Sequence, residues 1–269
     1  MTRKSTKILS YGFLTIASLI SVFPLAWMAI AATNRSVDVV SGKLTIGTKL
    51  MENFNNLLAT QDVGRYFVNS MKYSVLTTAV SLLVCSLAGY AFEIYSDKVK
   101  EVLFMLVLMT MMLPFVALMV PLFQMFSKVG MLNSTIGFLL PSIATPLMIM
   151  MFRTAAKSFP IDIIEAARID GLSEIMIFFR MFVPTMKSTY AAAMTITFMN
   201  AWNNYLWPKV IMTQSEAQTM PMMVSSLTSG YVTDYGMLML AVLLTTLPTA
   251  IIFFVLQKNF AEGITGAVK

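Results

Sequence analysis

Two groups of side chains carry the chemical potential of this sequence. The first is Glu165, Ala166, Ala167, Asp170, Gly171 and Pro184: two carboxylates, two minimal side chains, and the two residue types that punctuate helices most strongly. This combination suits docking rather than catalysis. A helix entered at Ser158–Pro160, with Asp162 and Glu165 placed favourably for its positive end and paired alanines on its side, lets another protein approach closely. Gly171 then supplies the stop, and Ser173 with Glu174 starts a second short helix, rich in Ile175, Ile177, Phe178 and Phe179, that runs to Pro184. The second group is Asn200, Asn203, Asn204 and Trp207, whose i, i+3, i+4, i+7 spacing puts them on one face of a single helix. Amides exchange hydrogen bonds with hydroxyl groups, and aromatic faces cover the apolar side of a ring. The same residues, with Trp202 and Tyr205, equally suit an aromatic belt at a membrane interface whose asparagines bond between helices.

Other chemistries find no support. With no histidine and the single Cys85, there is no basis for a Cys/His metal site or an internal disulfide. No acid–base cluster stands out, and no G-x-x-x-x-G-K-[ST] run is present to cradle phosphates. The expectation is therefore a non-enzyme that binds no cofactor of its own. The 25 methionines are spread over all the apolar runs and read as packing or lipid-facing residues rather than a soft-metal path. The formal charge of +6 comes from Lys and Arg scattered between those runs, which points to membrane orientation and away from nucleic acid.

The elements that must hold these residues are set by composition. Of 269 residues, 57% are hydrophobic and only 12% charged, against roughly a quarter charged in soluble domains. Lipid must be the solvent for most of the chain. Apolar runs near 8–32, 67–92, 102–126, 136–152, 186–207 and 236–257 each approach the length that spans hydrocarbon. The expected fold is an all-α polytopic membrane protein, one transmembrane domain over 1–269 with about six spans. The first run holds Pro24 and Trp27 and is too long for a cleaved signal segment, so it reads as a retained helix.

Placing the N-terminus in the cytoplasm puts Arg3, Lys4, Lys7, Lys98, Lys100, Arg153, Lys157, Arg168, Arg180, Lys187, Lys258 and Lys269 on that side. Arg35, Lys43, Lys49, Arg65, Lys72, Lys128 and Lys209 fall on the other. That bias favours both termini inside, a cytoplasmic loop over 153–185, and outer segments over 33–66, 127–135 and 208–235. Prolines 114, 121, 141, 146 and 248 each remove a backbone donor inside an apolar run, so kinks or unwound turns are expected there. Such breaks line cavities in transporters and also occur as plain packing kinks.

The loop resembles the signature of the membrane subunits of ATP-binding-cassette importers, E-A-A-x3-G-x9-I-x-L-P. Glu165, Ala166, Ala167, Gly171 and Pro184 stand at matching positions, while Met181 and Val183 replace the Ile and Leu, swaps that keep apolar volume. The stretch Pro160-Ile-Asp-Ile-Ile-Glu165-Ala-Ala-Arg-Ile-Asp170-Gly171, with Asn69-Ser70 and Trp202-Asn203, is similar to the carbohydrate-uptake branch, the maltose and multiple-sugar type. The resemblance implies a permease in the inner or plasma membrane of a prokaryote, translocating a sugar or oligosaccharide. Its implied partners are a second homologous permease, two ATPase subunits that bind ATP and Mg, and an extracytoplasmic substrate-binding protein.

By the same resemblance the loop helix enters a cleft of the ATPase, with charge from Glu165 and Asp170, close approach at Ala166 and Ala167, and the turn at Gly171. Asn200, Asn203, Asn204 and Trp207 become candidate pathway lining, and the outer segment with Gln214, Ser215, Glu216, Gln218 and Thr219 faces the binding protein or is a plain exposed loop. Competing readings are a permease for another solute class and an ion-coupled secondary transporter. The latter usually needs ionisable residues in mid-span, where this sequence has almost none. For residues 160–184 alone, an interfacial amphipathic linker is the alternative, which leaves Gly171 and the paired alanines unexplained.

Overall fold

The computed structural model describes Arg3–Gly266, and among these residues every regular element is helical. Lys269 and the extreme chain ends, assigned above to the cytoplasmic side, lie outside the described residues. In chain order the helices are α1 (Arg3–Ala31), α2 (Ser36–Val40), α3 (Leu50–Thr60), α4 (Val63–Ile94), α5 (Lys98–Met109), α6 (Phe115–Lys128), α7 (Thr135–Ile143) and α8 (Pro146–Ala156). They continue as α9 (Ile161–Ile169), α10 (Glu174–Ile177), α11 (Val183–Thr185), α12 (Lys187–Trp202), α13 (Leu206–Ile211), α14 (Met220–Leu227) and α15 (Tyr235–Gly266).

Three stretches are long and apolar enough to cross a membrane unbroken: Leu9–Ala31, Val63–Ile94 and Tyr235–Gln257. Two helix pairs qualify only jointly, Lys98–Met112 with Phe115–Lys128 and Thr135–Ile143 with Pro146–Ala156, bent by 102° and 51°. The fold is thus an all-α polytopic membrane protein with three spans, or up to five if each bent pair counts as one. The run 102–126, expected as one helix, is instead broken at Leu113. Pro114 lacks an N–H and disfavours helical backbone in the residue before it, and Leu113 accordingly takes φ −82, ψ 118.

The second break follows the same rule. Ala144 and Thr145 leave the helical region, and Pro146 opens α8, a position where its missing donor costs nothing. Pro121, Pro141 and Pro248 stay inside helices, so the expected interruptions occur at two of the five prolines. The fifth run also departs from expectation: α12 ends at Trp202, and Asn203–Tyr205 intervene before α13.

The chain forms two compact units. One comprises residues up to Gly64 with Met223–Pro248, the other Arg65–Met222 with the chain from Thr249. In the first unit, most of the apolar stretch Leu9–Ala31 is exposed and only Ala31 at its end is buried within the protein, as expected of a helix solvated by lipid. The polar segment after it is folded rather than a plain loop. Asn34 Nδ2 donates to the carbonyls of Ile30 and Thr45 (2.9 and 2.8 Å), and Asn53 Nδ2 donates to those of Ala32 and Asn34 (2.8 and 3.0 Å). Gly236 at the start of α15 lies so close that a Cβ there would sit 2.5 Å from the Asn34 carbonyl oxygen.

In the second unit, α4 and α8 touch through Gly89, where a Cβ would meet Arg153 N at 2.6 Å and Ile149 O at 2.8 Å. Around this contact Leu82, Cys85, Met148, Ile149, Phe152 and Ala193 are buried together. Arg153, also buried, donates from Nε to Glu93 at 3.0 Å and from Nη2 to Glu101, and lies 4.2 Å above the Phe104 ring. Its charge is thereby matched on both sides, the condition for keeping a guanidinium inside a protein.

Candidate functional site

The segment between α8 and α12 folds as two short helices turned on Gly171. Arg168 O receives the Gly171 N–H and Ala167 O receives the Leu172 N–H, both at 3.0 Å, which is the paired-bond helix stop that requires a left-handed residue. Gly171 supplies it with φ +79, and nothing lies within 4 Å of where a Cβ would stand. Conformation, not space, therefore selects glycine. Ser173 caps the second helix by accepting from Met176 N, and a π turn over Phe178–Phe182 is followed by Val183 and then Pro184, whose missing N–H disrupts regular helical bonding.

Glu165, Ala166 and Asp170 are exposed, whereas Ala167 is only 4% exposed. It packs inward with Tyr90, Phe159, Ile164, Ile177, Phe178 and Phe182. Adjacent residues on a helix cannot share a face, so the paired alanines divide their work. Ala166 faces outward and Ala167 secures the helix to its own chain. Pro184 is exposed in α11.

In the sequence Glu174 reads only as a helix start. In the structure its carboxylate joins three elements: Arg168 Nε donates to Oε1 at 2.7 Å, Nη2 to Oε2 at 3.3 Å, and the Tyr95 hydroxyl, just past α4, also donates to Oε2. The Arg168 guanidinium, and after it the Tyr95 hydrogen bond, holds the Glu174 carboxyl below its ordinary pKa. Tyr95 is pushed up, first by burial and then by donating to that carboxylate. Opposite charges either side of a glycine stop were a legible signal for Arg168 and Glu174; nothing marked Tyr95.

The second predicted group is split by the break after Trp202. Asn200 sits in the last turn of α12, Asn203 and Asn204 follow it, and all three line a cavity of about 640 Å³. Trp207 does not. It is fully buried on α13, donating from Nε1 to Gly137 O at 3.0 Å and meeting Phe126 edge-on at 5.3 Å. One helical face was therefore the wrong frame for four residues that straddle a helix end.

Thr77, Thr145 and Thr197 also line the cavity and were missed. Hydroxyl side chains at 70, 74, 77, 78 and 81, recurring at helical spacing in an apolar run, were the available signal for the α4 contribution. The outer segment is anchored to the same unit: Asn69 Nδ2 donates to Glu216 O and Gln218 O (2.7 and 3.0 Å), Ser70 Oγ accepts from Met220 N (2.8 Å), and Asn133 Oδ1 accepts from Gln214 N (2.9 Å). Among the described residues no group of three or more His, Cys, Asp or Glu could hold a metal ion.

Residues 86–266 match the family model described as binding-protein-dependent transport system inner membrane component. A lactose transport system permease protein of Rhizobium radiobacter is 44% identical over 269 residues, covering 100% of this chain and 98% of that protein. An arabinooligosaccharides transport system permease protein of Halalkalibacterium halodurans is 35% identical over 281 residues, covering 100% of both. In three dimensions, a chain of a bacterial ABC transporter that imports the acidic polysaccharide alginate superposes with a TM-score of 0.83 at 19% identity, over 97% of this chain and 99% of that one, a likeness of fold. The chain belongs to the family of binding-protein-dependent transport system inner membrane components, the permease subunits of ATP-binding-cassette importers.

Proposed function

We propose that this chain conducts a sugar or oligosaccharide as one of two homologous permeases, driven by two ATPase subunits that bind ATP and Mg and supplied by an extracytoplasmic binding protein. One observation carries the reading. At the position of the importer motif, a helix exposing Glu165, Ala166 and Asp170 is held rigidly to its own chain through Ala167, the Gly171 stop and the Glu174 clasp. A surface built to transmit force needs such backing. The two relatives above, named for lactose and arabinooligosaccharides, support a sugar as cargo.

In this reading 1–269 is one permease domain of six crossings: three unbroken spans, two bent ones, and α12, which has 16 residues, with α13 as its continuation. Both termini and the segment 153–185 face the cytoplasm, in keeping with the Lys and Arg bias. Asn200, Asn203 and Asn204 border the solute path, with Trp207 behind it as a packing residue. Residues 214–219, anchored by Asn69 and Asn133, face the binding protein.

The test is uptake into proteoliposomes containing both permeases and the ATPase pair. Accumulation of a neutral oligosaccharide is expected only with ATP and loaded binding protein together. Uptake driven by a proton gradient without the ATPase would overturn the proposal.

A further inference from the structure

The helix α3 (Leu50–Thr60) has three distinct faces. Asn53 and Leu57, one turn apart, are buried, and Asn53 Nδ2 donates to the carbonyls of Ala32 and Asn34, which fastens the middle of α3 to the chain just past Leu9–Ala31. With about 100° between successive residues, Leu50, Phe54, Leu58 and Met51 follow on one side of that buried line, and Glu52, Asn55 and Asn56 lie on the other. All seven are exposed, and the four apolar ones leave 36–68% of their surface uncovered. Among the described helices of eight residues or more, α3 is the most amphipathic and the least apolar overall.

The tethers of this helix fix its depth in the membrane. Leu9–Ala31 is 23 residues of apolar helix, about 34 Å long at 1.5 Å per residue, close to the thickness of the hydrocarbon layer. Ala32, the residue that Asn53 holds, therefore stands at the edge of that layer. At its other end Thr60 is three Cα steps, at most about 11 Å, from Val63, where α4 begins. A short helix held at this level, with one apolar and one polar flank and low overall hydropathy, is of the type that lies in the interfacial plane rather than across the bilayer. Charge does not drive the contact. Between residues 33 and 62, Arg35, Lys43 and Lys49 are balanced by Asp38, Glu52 and Asp62, and the two lysines are already paired with Asp38 and Glu52. Contact with lipid must therefore come from apolar area.

We propose that α3 is an interfacial helix seated in the headgroup and upper acyl region of the leaflet at which α1 ends, with Leu50, Met51, Phe54 and Leu58 in lipid and Glu52, Asn55 and Asn56 in water. The partner of the apolar flank is the lipid surface itself, the solvent that also surrounds Leu9–Ala31, so the apolar exposure of α3 continues that of α1. The helix fixes the depth of the segment between α1 and α4 without adding a span. The inference depends on the membrane-spanning fold and is independent of the solute carried.

The experiment places the complete permease–ATPase complex, carrying Cys85→Ser, in phosphatidylcholine nanodiscs. Met51→Cys, Phe54→Cys and Leu58→Cys on the apolar flank, and Glu52→Cys, Asn55→Cys and Asn56→Cys on the polar one, are each labelled with an environment-sensitive fluorophore. Lipids bearing a nitroxide high on the acyl chain are expected to quench the labels at 51, 54 and 58 several-fold more than those at 52, 55 and 56, and aqueous iodide is expected to give the reverse order. Adding phosphatidylglycerol should leave the contrast unchanged. With three positions on each flank, one variant that fails to assemble leaves the comparison intact. Equal iodide quenching on both flanks would place α3 in water. Protection of 51, 54 and 58 from both quenchers would mean that another protein covers them, and a contrast seen only with phosphatidylglycerol would make the contact electrostatic. Each of these three results would overturn the inference.

Discussion

Arg168 and Glu174 face each other across the Gly171 turn, with the guanidinium Nε 2.7 Å from the carboxylate that also receives the Tyr95 hydroxyl. The pair closes the angle between α9 and α10 and fastens both to the end of α4. On the proposed reading, these contacts give a push on α9 a side-chain route to α4.

Replacing Glu174 by Gln keeps the shape and removes the charge. Such exposed pairs contribute little to stability, so the thermal midpoint of the complex should hardly move. Solute carried per ATP hydrolysed, measured in proteoliposomes, should fall several-fold. An unchanged ratio would show that the clasp transmits nothing.

The same pair sets a pH dependence. Glu174 has a lowered pKa in the folded protein, so its contribution is complete above the ordinary carboxylate value and is lost only as pH falls through the lowered one. Solute per ATP should stay flat from pH 8 to pH 6 and decline only below about pH 4. A decline centred near pH 6.5 would assign the titration to another group.

Gly171 distinguishes conformation from crowding. With open space beside it and φ +79, alanine should cost about 1–2 kcal/mol through left-handed strain, and asparagine less. Thermal midpoints should rank Gly above Asn above Ala. Equal midpoints would mean that the turn relaxes at no cost.

Gly89 is the opposite case. A Cβ there meets backbone atoms of α8 at 2.6–2.8 Å, so Gly89→Ala should force α4 and α8 apart and destabilise by about 1–3 kcal/mol. Gly12→Ala, with nothing within 4 Å in α1, should be neutral or gain up to about 1 kcal/mol from helix propensity. Comparable losses at both sites would refute the close-contact explanation.

Arg153→Met leaves Glu93 and Glu101 without their shared cation. The expected loss is of order 3 kcal/mol, near the low end for a broken buried pair because Glu101 remains half exposed. Adding Glu93→Gln and Glu101→Gln to Arg153→Met should recover much of it, as read by the thermal midpoint. No recovery would assign the loss to packing over Phe104.

How much of this was legible depends on the physics of each part. Apolar length located the unbroken helices because hydrocarbon thickness acts directly on composition. It could not reveal that Leu113 bends the third run by 102° while Pro121 and Pro248 leave their helices continuous, since that depends on what neighbouring elements satisfy. The punctuation at Ser173 and Gly171 was local and therefore readable. Ala167 was misread because a motif records spacing and not facing, and the 100° step between neighbours turns it into the core. Tyr95 and Arg153 act through partners 79 and 60 or fewer residues away, a pairing that only the fold creates.

On the proposed reading the α9 surface is where an ATPase engages this permease, and cross-linking tests this most directly. Cysteine is introduced singly at Ala166 and at Ala167 in a complex with Cys85→Ser, and a short bifunctional maleimide is applied to membranes carrying the ATPase subunits with surface cysteines. Ala166→Cys is expected to cross-link to the ATPase in a nucleotide-dependent yield, and the buried Ala167→Cys is expected to remain unreacted. Absence of any ATPase adduct from Ala166→Cys, together with its labelling by a lipid-phase reagent, would contradict the claim and return the segment to an interfacial linker.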